Sequence, residues 1–162
     1  MDCKESVVSK IDGVIIRELE INTDKRGWLI ELFREDEIDS DVMPVMAYIS
    51  MTRPGVIRGP HEHREQTDNI CFFGPSVFKV QLWDNRKDSP TGGKSQVIET
   101  GEKNPLAISI PPGVVHAYKN VGVRDGLVFN APNRLYAGKE KKQDVDEIRY
   151  EEKEDSRFKV SF

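Results

Sequence analysis

From Val7 to about Tyr136, apolar residues recur in short runs of period two, broken by Gly, Pro, Asn and Asp, and they rarely recur at helical spacing. Alternation of this kind suits strands with one buried face, and strands packed this closely along a chain suit a sandwich or a barrel. The segments expected as strands are 13–19, 28–33, 45–52, 56–63, 69–73, 77–83, 95–99, 106–110, 114–120 and 126–130. Asn22-Thr23-Asp24-Lys25-Arg26-Gly27 reads as a turn, 35–43 as an irregular loop or a single helical turn, and 84–94 as a surface loop rich in turn formers. Beyond Tyr136 charged residues dominate, and this tail reads as a solvated helix or arm.

The 162 residues suit one domain, with a barrel core over about 12–136 and the charged tail over about 137–162. A net charge of −4 argues against nucleic acid as the main partner, since that affinity comes from neutralising phosphates. No apolar run approaches the roughly 20 residues of a membrane helix. Two cysteines, Cys3 and Cys71, do not make a disulfide scaffold, and the N-terminal stretch has no apolar signal core, so the expected location is the cytoplasm. Cys71 lies in an apolar strand and is expected as a small core residue. Trp28 and Trp83 are expected in the core or at an interface. There is neither a phosphate loop nor a Gly-x-Gly-x-x-Gly dinucleotide turn.

All three histidines fall in two short segments, Gly55-Val56-Ile57-Arg58-Gly59-Pro60-His61-Glu62-His63 and Pro111-Pro112-Gly113-Val114-Val115-His116-Ala117-Tyr118-Lys119-Asn120. On a strand, His61 and His63 project from one face and Glu62 from the other. The Pro-Gly turn before His116 fixes where its strand begins and aims that ring toward the same cavity. Asp68, with Gln66 as an alternative, adds an oxygen donor close by. Three imidazoles and one oxygen form a mixed set suited to a single divalent transition metal such as Zn, Ni, Mn or Fe(II).

The two histidine segments resemble the paired motifs of the cupin superfamily, Gly-x5-His-x-His followed by an acidic residue and a Gly, then Pro-x-Gly-x2-His-x3-Asn. This implies an all-β cupin barrel, a double-stranded β-helix of jelly-roll type. A longer match over about 12–136 resembles the dTDP-4-dehydrorhamnose 3,5-epimerase family. It is carried by Asp24-x-Arg26-Gly27-Trp28-x-x-Glu31, by Gly55 to His61, by Trp83-Asp84-Asn85-Arg86-Lys87-Asp88-Ser89-Pro90-Thr91, and by Ile110 to His116.

The resemblance implies an isomerase without a cofactor, working by proton transfer beside the C4 ketone of a nucleotide-linked 4-keto-6-deoxyhexose. It implies His61 as the base, Arg58 on the phosphate or sugar, and His116 as a polar group of the same cavity. Arg26 and Glu31 would bind nucleotide across a homodimer interface. Related ketoisomerases use a His-x-His pair for proton transfer, which implies a role for His63 beside His61.

The family's late-strand acid, a tyrosine, aligns here with Phe129, which has no proton to give, so Tyr136 is the expected substitute. Tyr118, on the strand face of His116, is expected to bind substrate or to stand in for the acid. The family's lysine gives way to Asp68 or Asn69, and its Gln-x-Asn to Met46-Ala47-Tyr48. The acidic residue that orients the base is expected among Asp144, Asp146 and Asp155. A catalytically silent, sugar-nucleotide-binding relative is the remaining expectation.

Overall fold

The period-two segments pair into two five-stranded antiparallel sheets that face each other in a computed structural model describing residues 8–162. The strands are β1 Ile15–Glu18, β2 Ile21–Asp24, β3 Gly27–Ile30, β4 Tyr48–Thr52, β5 Ile57–Glu62, β6 Asp68–Gly74, β7 Val77–Asp84, β8 Ser95–Gly101, β9 Leu106–Ile110, β10 Val114–Asn120, β11 Gly126–Asn130 and β12 Ile148–Arg149. One sheet runs β1-β9-β6-β11-β4 and the other β12-β5-β10-β7-β8. Between them lie Phe72, Phe78, Leu82, Leu106, Ile108, Ile110 and Val114, all essentially buried. Phe72, Phe78 and Tyr118 meet at ring separations of 5.3–6.0 Å. Burial of each such side chain stabilises the fold by roughly 1.5–3 kcal/mol, which makes this slab the main source of stability. This is the expected cupin-type all-β architecture.

All ten expected strands form, with ends shifted by a few residues. Residues 35–43 contain a single 3-10 turn, Ser40–Val42. Two elements differ from expectation. The first is β2, since Asn22-Thr23-Asp24 belongs to a strand paired with β3, and the turn itself is only Lys25-Arg26. The Asp24 carboxylate closes that turn by accepting the Arg26 N–H at 2.8 Å and its Nε–H at 2.9 Å. These polar residues form a strand because the hairpin stands apart from both sheets with little to bury.

The second is the tail, which is the arm rather than the helix of the two expected forms, but an arm docked on the sheet and not merely solvated. It holds a 3-10 turn at Lys139–Lys141 and the strand β12, which covers the edge of β5 in the register Ile148↔Glu62 and Arg149↔His61. An open β5 edge offers unpaired backbone groups, and an extended tail satisfies them where a helix would not. Aromatic anchors hold it down: Phe158 packs on Trp83 at 5.9 Å and on Tyr150 at 4.7 Å. Cys71 is buried and its thiol is pushed up to about 12 by burial, as befits a core residue. Cys3 lies outside the described residues. Trp28 is 61% exposed on the hairpin, with Phe73 as its aromatic neighbour. No helix among the described residues is long and apolar enough to cross a membrane.

Candidate active site

The site begins with the pairing of β5 and β10, which sets His61 directly opposite His116. Gly59 makes this approach possible. It has φ +82°, and a Cβ there would stand 2.6 Å from the His116 carbonyl oxygen. At the start of β10, the Asp84 loop performs a similar service. The Asp84 carboxylate accepts Arg86 Nε–H at 2.8 Å, Ser89 Oγ–H at 2.6 Å and Thr91 Oγ1–H at 2.6 Å, and Arg86 packs against Gly113 just before the strand. The Asp84 to Thr91 motif is thus a structural clip that fixes where His116 emerges.

Strand parity places His61 and His63 on one face, as expected, and Glu62 on the other, where it binds Asn85 and Tyr150. The His61 ring lies 6.0 Å from that of His63 and 4.4 Å from that of His116. Asp68, at the start of β6 in the facing sheet, completes the group: its Oδ2 is 3.1 Å from His63 Nε2 and 3.2 Å from His116 Nε2. Its Oδ1 accepts from Gln66 Nε2 at 2.9 Å and Asn130 Nδ2 at 3.0 Å. The ligating atoms of His61, His63, Asp68 and His116 all lie within 4.8 Å of one another.

Backbone carbonyls fix the tautomers. A carbonyl only accepts, so His63 Nδ1 donates to Asp146 O and His116 Nδ1 to Val114 O. Both Nε2 atoms are left facing Asp68. A bare Nε2 lone pair would repel the carboxylate at these distances, whereas a protonated His63 makes two hydrogen bonds. Burial alone would lower the His63 pKa, but the Asp68 hydrogen bond and charge outweigh it and the net shift is upward. Burial likewise pushes Asp68 up, yet the His116 and His63 rings facing it hold it well below the usual carboxylate range. The buried His116 Nε2 has no well-aligned hydrogen-bond partner despite its closeness to Asp68.

His61 differs. Burial, then the neighbouring His116 ring, hold it well below the ordinary imidazole range, so at neutral pH it is uncharged and can accept a proton. Two carboxylates stand by its Nδ1, Glu147 at 3.9 Å and Glu151 at 4.0 Å. Neither is a hydrogen bond at that range, although catalytic bonds often tighten only when substrate is present. Arg149 binds Glu147 at 2.6 Å and keeps it in place.

Above the cluster opens a cavity of about 1180 Å³, larger than the roughly 300–1,000 Å³ usual for small-molecule sites. Arg58 lines it, anchored to Thr52 Oγ1 at 3.0 Å and Met51 O at 2.9 Å. Tyr118 lines it with its hydroxyl 3.2 Å from Ser50 Oγ, and Tyr136 stands half-exposed at the rim. His116 lies beneath, only 2% exposed.

Other expected site residues fall elsewhere. Val128 and Asn130 face the cavity, so Phe129, one residue out of phase, faces away and stands outside the site. Asn69 points from the opposite face of β6 toward Val42 O and Ala131 O. The Asp146 carboxylate caps the turn at 64–66 by accepting three backbone N–H groups, and only its carbonyl touches a histidine. Asp144 lines the cavity without reaching His61, Asp155 is exposed, and the carboxylates beside the base are Glu147 and Glu151. Arg26 and Glu31 are on or beside the outlying hairpin and take no part in this chain's own cavity: Arg26 pairs with Asp24, and Glu31 lies 3.7 Å from Arg34.

The sequence reading also missed Tyr48. Its phenol lines the cavity and accepts from Asn130 Nδ2 at 2.8 Å. A signal was present: β4 reads Tyr48-Ile49-Ser50-Met51-Thr52, with the polar positions toward the cavity and the apolar ones outward.

Known proteins are similar to this chain in sequence and fold. The profile of the dTDP-4-dehydrorhamnose 3,5-epimerase family matches residues 8–151. A probable low-salt glycan biosynthesis epimerase, Agl13 of Haloferax volcanii, is 41% identical over 128 residues, spanning 78% of this chain and 81% of the relative. The spore coat polysaccharide biosynthesis protein SpsL of Bacillus subtilis is 39% identical, spanning 69% and 73%. A dTDP sugar isomerase from Desulfovibrio desulfuricans shares the fold, with a TM-score of 0.78 at 21% identity over 89% of this chain and 87% of that one. With the family profile covering nearly all of the described chain and the histidine cluster in a cavity of the expected barrel, this chain belongs to the dTDP-4-dehydrorhamnose 3,5-epimerase family.

Proposed function

We propose that the protein is a nucleotide-sugar epimerase acting on a dTDP-linked 4-keto-6-deoxyhexose. The observation that carries this reading is His61 in the wall of a large cavity, opposite His116 and with two carboxylates beside its Nδ1; burial, by lowering its pKa, leaves it uncharged at neutral pH. His61 removes a proton from a carbon next to the C4 ketone, and Glu147 and Glu151 stabilise the imidazolium that forms. Arg58 supplies a fixed positive group for phosphate or for the developing enolate. His63 holds its proton against Asp68 and offsets that carboxylate, which would otherwise oppose enolate formation.

The enzyme works as a homodimer in the cytoplasm. Supporting the dimer are an outlying hairpin with Trp28 and Leu29 about 60% exposed, and an Arg26 with no partner but Asp24 among the described residues. Across an interface, Arg26 and Glu31 would reach a partner's nucleotide. Light scattering at micromolar concentration should return twice the 18.5 kDa chain mass.

The test of function is transfer of solvent deuterium into dTDP-4-keto-6-deoxyglucose, followed by proton NMR at the carbons flanking the ketone. Exchange in the wild type that disappears in His61→Ala is the expected result. Absence of exchange with any such sugar refutes the reading.

One observation favours a second reading. The buried, unmatched His116 Nε2 and the convergence of four ligating atoms suit a divalent transition metal held by His61, His63, Asp68 and His116, with the Nδ1 atoms of His63 and His116 already fixed by backbone carbonyls. Such an ion would act as a Lewis acid toward a substrate oxygen. The readings differ at the proton on His63 Nε2. Elemental analysis of untagged protein decides: occupancy below about one-tenth, with no uptake on reconstitution, removes the metal.

A further inference from the structure

We propose that Tyr48 is the acid that returns a proton to the substrate on the face opposite His61. The assignment rests on the epimerase reading and settles which phenol does the work. Epimerisation by proton transfer needs a donor across the sugar from the base, and strand parity denies β11 that role because Phe129 faces outward and Asn130 faces in.

β4 pairs with β11 and places Tyr48 directly beside Asn130. The two strands belong to the sheet that faces β5, so Tyr48 and His61 stand on opposing walls of one cavity.

The hydrogen bonding gives the phenol its direction. The Asn130 side chain lies 3.0 Å from Asp68 Oδ1 and 2.8 Å from the Tyr48 hydroxyl through the same nitrogen. The reverse amide orientation would set two oxygens against each other at Asp68, so the nitrogen faces the carboxylate and therefore also donates to Tyr48. The Tyr48 oxygen is an acceptor in that bond, and no group among the described residues accepts its own O–H. That hydrogen is free for a ligand in the cavity. Burial, with the nearby Asp68 charge, pushes the Tyr48 pKa up to about 12, so the phenol carries its proton at neutral pH.

The alternatives are worse placed. Tyr118 stands on β10, in the same sheet as His61, with its hydroxyl against Ser50 and its ring among Phe72 and Phe78. Tyr136, about as exposed as Tyr48, differs in that its hydroxyl has no hydrogen bond among the described residues to aim it.

The step balances within the protein and water. His61 takes the proton from one face, and the C–H electron pair becomes the enolate. The enolate carbon then takes the Tyr48 proton on the other face, forming a new C–H bond. The phenolate left behind keeps the Asn130 N–H bond and regains a proton from water as His61 loses its own.

The test is Tyr48→Phe in D2O with dTDP-4-keto-6-deoxyglucose, reading deuterium incorporation and configuration in one NMR series, with dTDP binding by calorimetry as a check on the fold. The variant should incorporate deuterium at a rate within about threefold of wild type, because His61 still removes a proton and returns a solvent-derived one to the same face. Inversion should fall by about 100-fold or more, the usual worth of a positioned acid. Wild-type inversion rates in Tyr48→Phe overturn the assignment, as does that signature in Tyr136→Phe instead. Loss of both exchange and inversion in a folded, dTDP-binding Tyr48→Phe also overturns it, because the phenol would then be required for proton removal. A wild type that neither exchanges nor inverts refutes the epimerase reading itself.

Discussion

Replacing Asp84 with alanine should destabilise the protein far more than one deleted carboxylate at a surface would. The carboxylate is buried and meets Arg86 in a two-point fork, Nε at 2.8 Å and Nη2 at 2.9 Å, together with the Ser89 and Thr91 hydroxyls at 2.6 Å and the Arg86 backbone N–H at 3.1 Å. Removing one member of a buried ion pair costs roughly 3–5 kcal/mol because the partners lose their acceptor. Arg86 still reaches Asp12 O at 2.6 Å and is partly open to water, which favours the lower end, about 3–4 kcal/mol. For a chain of this size that is a fall in Tm of roughly 10 °C. Burial would raise the Asp84 pKa, but the Arg86, Ser89 and Thr91 hydrogen bonds outweigh it and hold it far below the ordinary range. A carboxyl depressed in the folded state stabilises above its unfolded pKa, about 3.9, and loses that stabilisation as pH falls toward the folded value. The gap between wild type and Asp84→Ala should therefore be full at pH 7 and narrow steadily below about pH 4. Paired thermal melts from pH 7 down to pH 2.5 measure it. A gap under about 2 °C at pH 7, or one that does not narrow in acid, refutes the reasoning. Because the clip seats Arg86 against Gly113, amide exchange at Val114 to His116 should quicken in the same variant.

Glu147→Gln combined with Glu151→Gln should lower kcat for exchange by about 10–100-fold with little change in dTDP affinity, since only the protonated His61 loses its partners; calorimetry beside the exchange assay separates the two. The His63–Asp68 pair should stabilise the fold within a pH window. Asp68, depressed when folded, contributes above about pH 4, and His63, raised when folded, contributes fully below about pH 6.5 and loses that contribution as pH rises through its folded value. Thermal melts of His63→Asn should lack the alkaline limb that wild type shows. Leu82→Ala should cost about 2–5 kcal/mol by chemical denaturation, as expected for a large buried side chain between two sheets.

Much of this architecture was legible because buried strands advertise themselves by parity. The same rule put His61 and His63 on one face before any coordinates and sent Glu62 to the other. It also takes Phe129 out of the site, since Val128 and Asn130 on either side of it face the cavity. The hairpin strand β2 escaped notice because Asn22, Thr23 and Asp24 bury nothing and therefore carry no pattern. The tail escaped for a different reason. Its charges suggested solvent, yet Asp146 spends its carboxylate on three backbone N–H groups, while Glu147 and Glu151 stand beside a histidine from β5, 86 and 90 residues earlier in sequence. Long-range pairings of this kind leave no local trace. Tyr48 stands between these cases: its strand showed polar residues at alternate positions, but its bond to Asn130 required the β4–β11 register.

Proton transfer across the ring requires the sugar to lie between His61 and Tyr48. A crystal structure of the protein with a dTDP-linked 4-keto-6-deoxyhexose should show the ring between β5 and β4, with a carbon beside the ketone about 3–3.5 Å from a His61 ring nitrogen and the Tyr48 hydroxyl on the other face. A sugar seated away from His61, or one whose His61 and Tyr48 contacts fall on the same face, would contradict it.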